Sequence, residues 1–242
     1  MCLLISAELF HRTSLGLVGL ACLISVAAAA ETQTDPFETL NRKSQNLNDA
    51  VDEHLMRPVA RGYSQLLPLP VRRSIGRVYR NLEDIGDAVN NLLQGKPGAF
   101  FSDVVRVGIN TTIGLGGVFD LAIRLGLNDH DEDFAQTLAK WGVSRGPYLV
   151  IPFLGPSSVR DVFARSINNR VDSLLYLQPI NHRNAVYVAR FVHTRADLLG
   201  TDKVVFGDRY LFFREAYLQR RQYLELDGQI VADPFGDDFD EL

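Results

Sequence analysis

Apolar residues recur at helical spacing along most of this chain. Phe37, Leu40, Leu47, Val51 and Leu55 follow at intervals of three, seven, four and four, which predicts one apolar helix face. Asn41, Arg42, Lys43, Asn46 and Asn48 occupy the rest of that helix. Asp35-Pro36-Phe37-Glu38 opens it, with Asp35 as N-cap, Pro36 at the first helical position and Glu38 completing a capping box. Pro58 is expected to end it. A second helix is predicted from Val71 to Leu93, with Val71, Ile75, Val78, Leu82, Ile85, Val89 and Leu92 on one face. Leu174 to Leu177, Asn184 to Leu199 and Lys203 to Leu226 extend a mostly helical reading, the last being rich in aromatics from Phe206 to Tyr223. No β-rich half and no internal repeat is visible, so the expected fold class is all-α.

Two segments break this regularity. Ala99 to Leu127 is apolar on all sides, and Val107 to Phe119 carries no charge. Those 13 residues are too few to span a bilayer, which needs about 20, and Gly114, Gly116 and Gly117 interrupt the helix. Two readings stand: a segment lying partly in a membrane or lining a passage, or a core helix broken by a glycine turn. The other segment is Glu132 to Asp161. Gly146-Pro147 turns the chain into the run Tyr148 to Leu154, and Gly155-Pro156 closes it before Ser158, placed to cap a helix through Asp161. This predicts an apolar hairpin or finger, read either as a buried core loop or as a functional apolar lining.

Composition sets the frame: 242 residues, 46% apolar and 22% charged, suit one large domain. Arg12 precedes an uncharged run from Thr13 to Ala30 that ends in small residues, which resembles a secretory signal cleaved after Ala30. Both cysteines, Cys2 and Cys22, fall within it. Cys22 follows Gly19-Leu20-Ala21, a weak match to a lipid-attachment site, since Leu20 stands one place too late and apolar residues follow the cysteine. The expected organisation is a signal over 1–30, one helical domain over 31–226 and an acidic flexible tail over 227–242. Without residues 1–30 the chain up to Arg221 has 24 basic and 21 acidic residues, while beyond it lie seven acids and no Lys or Arg. An excess of three does not suggest nucleic acid; it suits a soluble partner or anionic lipid headgroups. Arg72, Arg73, Arg77 and Arg80 lead the second helix and its acids come later, against the helix dipole. They are candidates for phosphate headgroup contact, weighed against a plain basic surface.

Catalytic patterns are missing. There is no G-x-S-x-G elbow, and His54, His130, His182 and His193 lack metal-ligand spacing. Asp129-His-Asp-Glu-Asp133 opens like a calcium loop, but Phe134 stands where glycine is required and Lys140 where glutamate is, so a capped, solvated loop is expected. No catalytic residue, metal ligand or cofactor is assigned.

The separated motifs Asp35-Pro-Phe-Glu38 with Asn41-Arg42, Arg57-Pro-Val-Ala60, Asn91-Leu-Leu-Gln-Gly95, Asn110-Thr-Thr-Ile-Gly114, Gly117-Val-Phe-Asp120, Glu132 to Asp161 and Arg214-Glu-Ala-Tyr-Leu-Gln-Arg220 together resemble the MlaA (VacJ) family. The resemblance covers about Asp35 to Leu226. Ala135 and Ala139 stand where the family pattern has glycines. The resemblance implies a ring-like helical protein in the inner leaflet of the outer membrane, around an amphipathic channel. It also implies phospholipid as cargo, with trimeric porins and a periplasmic lipid carrier as partners. On that basis Asn110, Ile113, Leu115, Val118, Phe119, Tyr148, Val150, Pro152 and Phe153 are the expected lipid-binding residues, and the acidic tail is expected to meet the carrier. A porin-associated scaffold that moves no lipid is the alternative.

Overall fold

The computed structural model describes residues 35–205 and 207–229. The predicted signal, Cys22, Phe206 and the acidic tail beyond Gln229 lie outside them. Eight α-helices are formed among the described residues: α1 Glu38–Val51, α2 Arg57–Leu66, α3 Leu69–Leu93, α4 Pro97–Thr112, α5 Phe134–Lys140, α6 Val159–Val171, α7 Ile180–Asp197 and α8 Arg209–Glu225. β1 Tyr148–Ile151 and β2 Gly155–Ser158 form an antiparallel hairpin. The class is therefore mostly helical, with the predicted finger realised as a hairpin.

Local chemistry explains most boundaries. The Phe37 N–H donates to Asp35 Oδ1 (2.9 Å), turning the chain into α1, but the helix begins two residues later than expected, with Phe37 at its N-cap, and Glu38 reaches forward to Arg42 (2.7 Å) instead of closing a capping box. Pro58 does not end the helix as expected. A π-helical turn, Asp52–Met56, joins α1 to α2, and Pro58 sits in the first turn of α2, directly after that widened turn, within a continuous helical run. The glycine turn is present: Gly116 and Gly117 take φ of 70° and 89°, and Leu115 takes 57°. Ser158 Oγ accepts from the Asp161 N–H (3.2 Å) and starts α6.

Polarity is inverted relative to an ordinary globular core. Leu40 is 59% exposed while the adjacent Asn41 is 1% exposed, and the buried residues of α1 are Asn41, Ser44 and Gln45. In α3 the buried set is Asn81, Asp84, Ala88, Asn90 and Asn91; in α4 it is Asp103, Arg106 and Asn110. Phe101, Val104, Val105, Leu92 and Leu93 face outward. Most of the predicted apolar stripe of α1 lies on the exterior, whereas on α3 Val71, Ile85 and Leu92 are exposed and Ile75, Val78, Leu82 and Val89 are half-buried. α3 runs along α4, α2 packs on α7, α5 on α6, and α1 on β1. A small aromatic core, Tyr148, Val150 and Tyr210 with Tyr217 against it, anchors the hairpin base.

Candidate functional site

The hairpin is held by two asparagines of α1. Asn41 Nδ2 donates to the Tyr148 carbonyl (3.0 Å) and Asn41 Oδ1 accepts from the Val150 N–H (2.9 Å). Asn48 repeats the pattern with the Ile151 carbonyl (3.0 Å) and the Phe153 N–H (2.6 Å). Asn41 thus pairs with the outer edge of β1, while Asn48 holds the turn that follows it. Tyr148 and Val150 are buried by this docking, while Pro152, Phe153 and Leu154 form an exposed apolar tip, with Phe153 at φ 66°.

The glycine turn is clamped from below. Asn110 Oδ1 accepts from the N–H groups of Leu121 (2.9 Å) and Ala122 (3.1 Å), and its amide donates to Asp120 (3.0 Å). Arg77 Nε donates to the Val118 carbonyl (2.8 Å), and Asn81 donates to Thr111 Oγ1 (2.9 Å). Gly117 lies so close to α3 that a Cβ there would meet Asn81 Cβ at 2.7 Å. The result presents Ile113, Leu115 and Phe119 outward, with Val118 half-buried. Of the nine expected lipid-binding residues, Ile113, Leu115, Phe119, Pro152 and Phe153 reach the surface, whereas Asn110, Tyr148 and Val150 build the supports beneath them.

The four arginines of α3 do not form one free basic row. Arg72 lies 3.8 Å from Asp197, Arg77 is spent on the glycine turn, Arg80 pairs with Asp129, and Arg73 is exposed. The acids that follow them also have interior partners. Asp84 meets the buried Arg106 (3.3 Å), which also contacts Asp120 (3.3 Å), the Leu127 carbonyl (2.7 Å) and Asp129 (3.8 Å). Burial pushes the Asp84 carboxyl up to about 7 against the pull of Arg106, and pushes Asp87 up to about 9 against one N–H from Glu132. Asp120 is held low despite burial by the Ile123 N–H, Asn110 and Arg106.

The loop expected to be solvated is instead a crossing point. Asp131 pairs with Arg220 (2.8 Å), and Asp133 caps α5 through the Gln136 N–H (2.8 Å) while binding Arg221 (2.7 Å). Asp84, Asp87 and Asp129 offer carboxylate oxygens within 4.8 Å of one another, the densest set of potential cation ligands among the described residues. His130 Nδ1 lies 2.6 Å from the buried Asp103. Sequence reasoning missed Asn41, Asn48, Asn81 and Arg106 as organising residues. The seven-residue spacing of Asn41 and Asn48 was the visible signal.

A buried polar framework, an apolar exterior and a clamped hairpin define a helical protein of inverted polarity. The profile of the MlaA lipoprotein family matches residues 33–224, and the chain belongs to that family. It is 30% identical over 229 residues, 90% of each chain, to the Intermembrane phospholipid transport system lipoprotein MlaA of Escherichia coli K12. It is 28% identical over 213 residues, 82% of each chain, to the protein of the same name from Haemophilus influenzae. An uncharacterized protein of Rickettsia typhi is 36% identical over 143 residues, 59% of this chain and 57% of its own. A chain solved in work on the structural basis for maintenance of bacterial outer membrane lipid asymmetry superposes with a TM-score of 0.71 at 31% identity, over 80% of this chain and all of that one.

Proposed function

We propose that this protein moves phospholipid between membranes without breaking a bond. In this reading it takes misplaced phospholipids from the outer leaflet of the Gram-negative outer membrane through an amphipathic channel and passes them to a periplasmic carrier, maintaining lipid asymmetry. The inverted polarity carries the reading: the largest fully buried side chains include Arg106, Asn41, Asn91, Asp84 and Asp103, while Leu66, Phe101, Ile113, Leu115 and Phe153 are exposed. Such a surface is costly in water and suited to acyl chains, and a polar interior suits a charged headgroup. No helix among the described residues is long and apolar enough to cross a membrane, which fits a protein lying within one leaflet. The named relatives in E. coli and H. influenzae support the same transport class.

In this reading residues 1–30 direct export with cleavage after Ala30, the protein sits on the periplasmic side of the outer membrane, and trimeric porins are its neighbours there. The exposed tips at Ile113 to Phe119 and Pro152 to Leu154 contact lipid, Arg73 and Arg80 meet headgroups, and the acidic tail meets the carrier. The test is the amount of phospholipid in the outer leaflet. Deletion of the gene should raise it and the intact gene should restore it; an unchanged level with porins and carrier present would favour the scaffold reading.

A further inference from the structure

Trp141, the single tryptophan of the chain, follows directly on α5 and is 54% exposed although its ring is fixed in place. Its Nε1 donates to the Leu93 carbonyl at the end of α3 (3.2 Å), and the ring stands edge-to-face with Phe134, 5.9 Å between centroids. Leu93 is itself exposed. Lys140, next to Trp141 in the chain, is exposed and joins no ion pair among the described residues. The result is a rigid apolar platform with a cation at its rim. The end of the described chain leads to it. Beyond α8, Asp227 and Gly228 take φ of 54° and 80°, and the Gly228 N–H returns to the Tyr223 carbonyl (2.9 Å). Asp227 then pairs with Lys96, three residues past Leu93.

The sequence that follows suits such a platform. Asp233-Pro234-Phe235 repeats Asp35-Pro36-Phe37, the segment that turns the chain into α1 through the Phe37 N–H on Asp35. A helical turn begun in the same way would set Phe235, Phe239 and Leu242, spaced four and three, on one side. Asp237, Asp240 and Glu241 would then lie opposite, with Asp238 at the edge. Reach is ample: the 12 residues from Asp227 to Phe239 extend up to about 40 Å, and Lys96 to Leu93 spans at most about 10 Å. We propose that residues 230–242 fold back over this patch as a strap, with Phe235 and Phe239 against Trp141 and Leu93 and the acids beside Lys140. Aromatic anchors gain the contact area, and the carboxylates complement the rim cation. A tail held there is withheld from other proteins, so the strap competes with the contact to a carrier. That consequence rests on the transport reading; the docking does not.

The single tryptophan reads this contact directly. Acrylamide quenching of its fluorescence is measured in the purified full chain, in a chain ending at Gln229 and in the double variant Phe235→Ser, Phe239→Ser. Quenching about twofold or more stronger in both altered chains is expected, because the strap covers the indole. A synthetic peptide of residues 230–242 added to the shortened chain should restore protection saturably. Lys140→Glu and raised salt should each weaken that restoration, Lys140→Glu by about threefold or more. Equal quenching in all three chains would overturn the strap, and so would a peptide that protects nothing. Should the shortened chain not fold, the double variant carries the test alone, since both its changes lie outside the described fold. Benzoylphenylalanine at position 239 of the full chain gives a second readout. Photo-crosslinks within one chain to peptides holding Leu93 or Trp141 are expected; crosslinks elsewhere, or between two copies, would overturn the proposal. Failure of the transport reading would show separately, as an unchanged outer leaflet in the deletion strain, with the quenching difference intact.

Discussion

Asn41 and Gly117 show how single side chains carry this fold. Asn41 is 1% exposed and serves two backbone groups of β1 as well as Asp35, so Asn41→Ala leaves buried partners unsatisfied. A loss of about 1–3 kcal/mol is expected, read as a lowered Tm in detergent, and it should exceed the loss for Asn48→Ala, whose contacts lie nearer the exposed tip. Gly117 and Gly116 both have positive φ, but only Gly117 faces a neighbour within 3 Å. Gly116→Ala should cost about 1 kcal/mol for the left-handed backbone, and Gly117→Ala clearly more, because Asn81 and the α3 backbone must also shift. Equal Tm values for the two variants would contradict this packing. The glycines were legible in the sequence as a break; which of them is crowded was not, since the crowding comes from α3, more than 30 residues earlier in the chain.

The hairpin divides into a base and a tip with different duties. Its base joins Tyr148 and Val150 to Tyr210 and Tyr217, while Pro152, Phe153 and Leu154 project outward. Tyr148→Asp should therefore unfold the hairpin base, seen as a loss of Tm and of protease resistance. Phe153→Asp should leave Tm near that of the parent but raise outer-leaflet phospholipid, if the tip contacts lipid. Proline and glycine positions foretold the hairpin, because both residues act through local backbone geometry. The α1–α2 junction went the other way: Pro58 was expected to stop the helix, and a π turn absorbed it within a continuous helical run. Sequence pattern marks where a backbone bond is lost, but tertiary contacts such as Arg195 on Asp52 (2.5 Å) decide whether the helix continues past it.

Buried carboxyls give the molecule as a whole a pH signature. Asp84 and Asp87 titrate near 7 and 9 in the fold, against an ordinary value of 3.8. The folded state therefore holds more protons than the unfolded chain between about pH 4 and 9, so stability falls as pH rises through that window, by at most about 1.4 kcal/mol per unit for each group. Asp87→Asn should be nearly neutral below about pH 4 and increasingly stabilising as pH rises to 8 to 9, measured as Tm against pH; a constant difference across that range would refute the assignment. Helix content, the glycine break, the hairpin and the family resemblance all follow from residues close together in the chain, because capping, turn chemistry and periodicity are local. Periodicity also defines two faces on each helix, but it is symmetric with respect to which face turns inward. Packing α3 against α4, and α1 against the hairpin, settled that choice by pairing Arg106 with Asp84 and Asn41 with the β1 edge. These partners lie 22 and 107 residues apart in the chain, so only the tertiary structure could place the polar groups inside and most of the α1 apolar stripe outside.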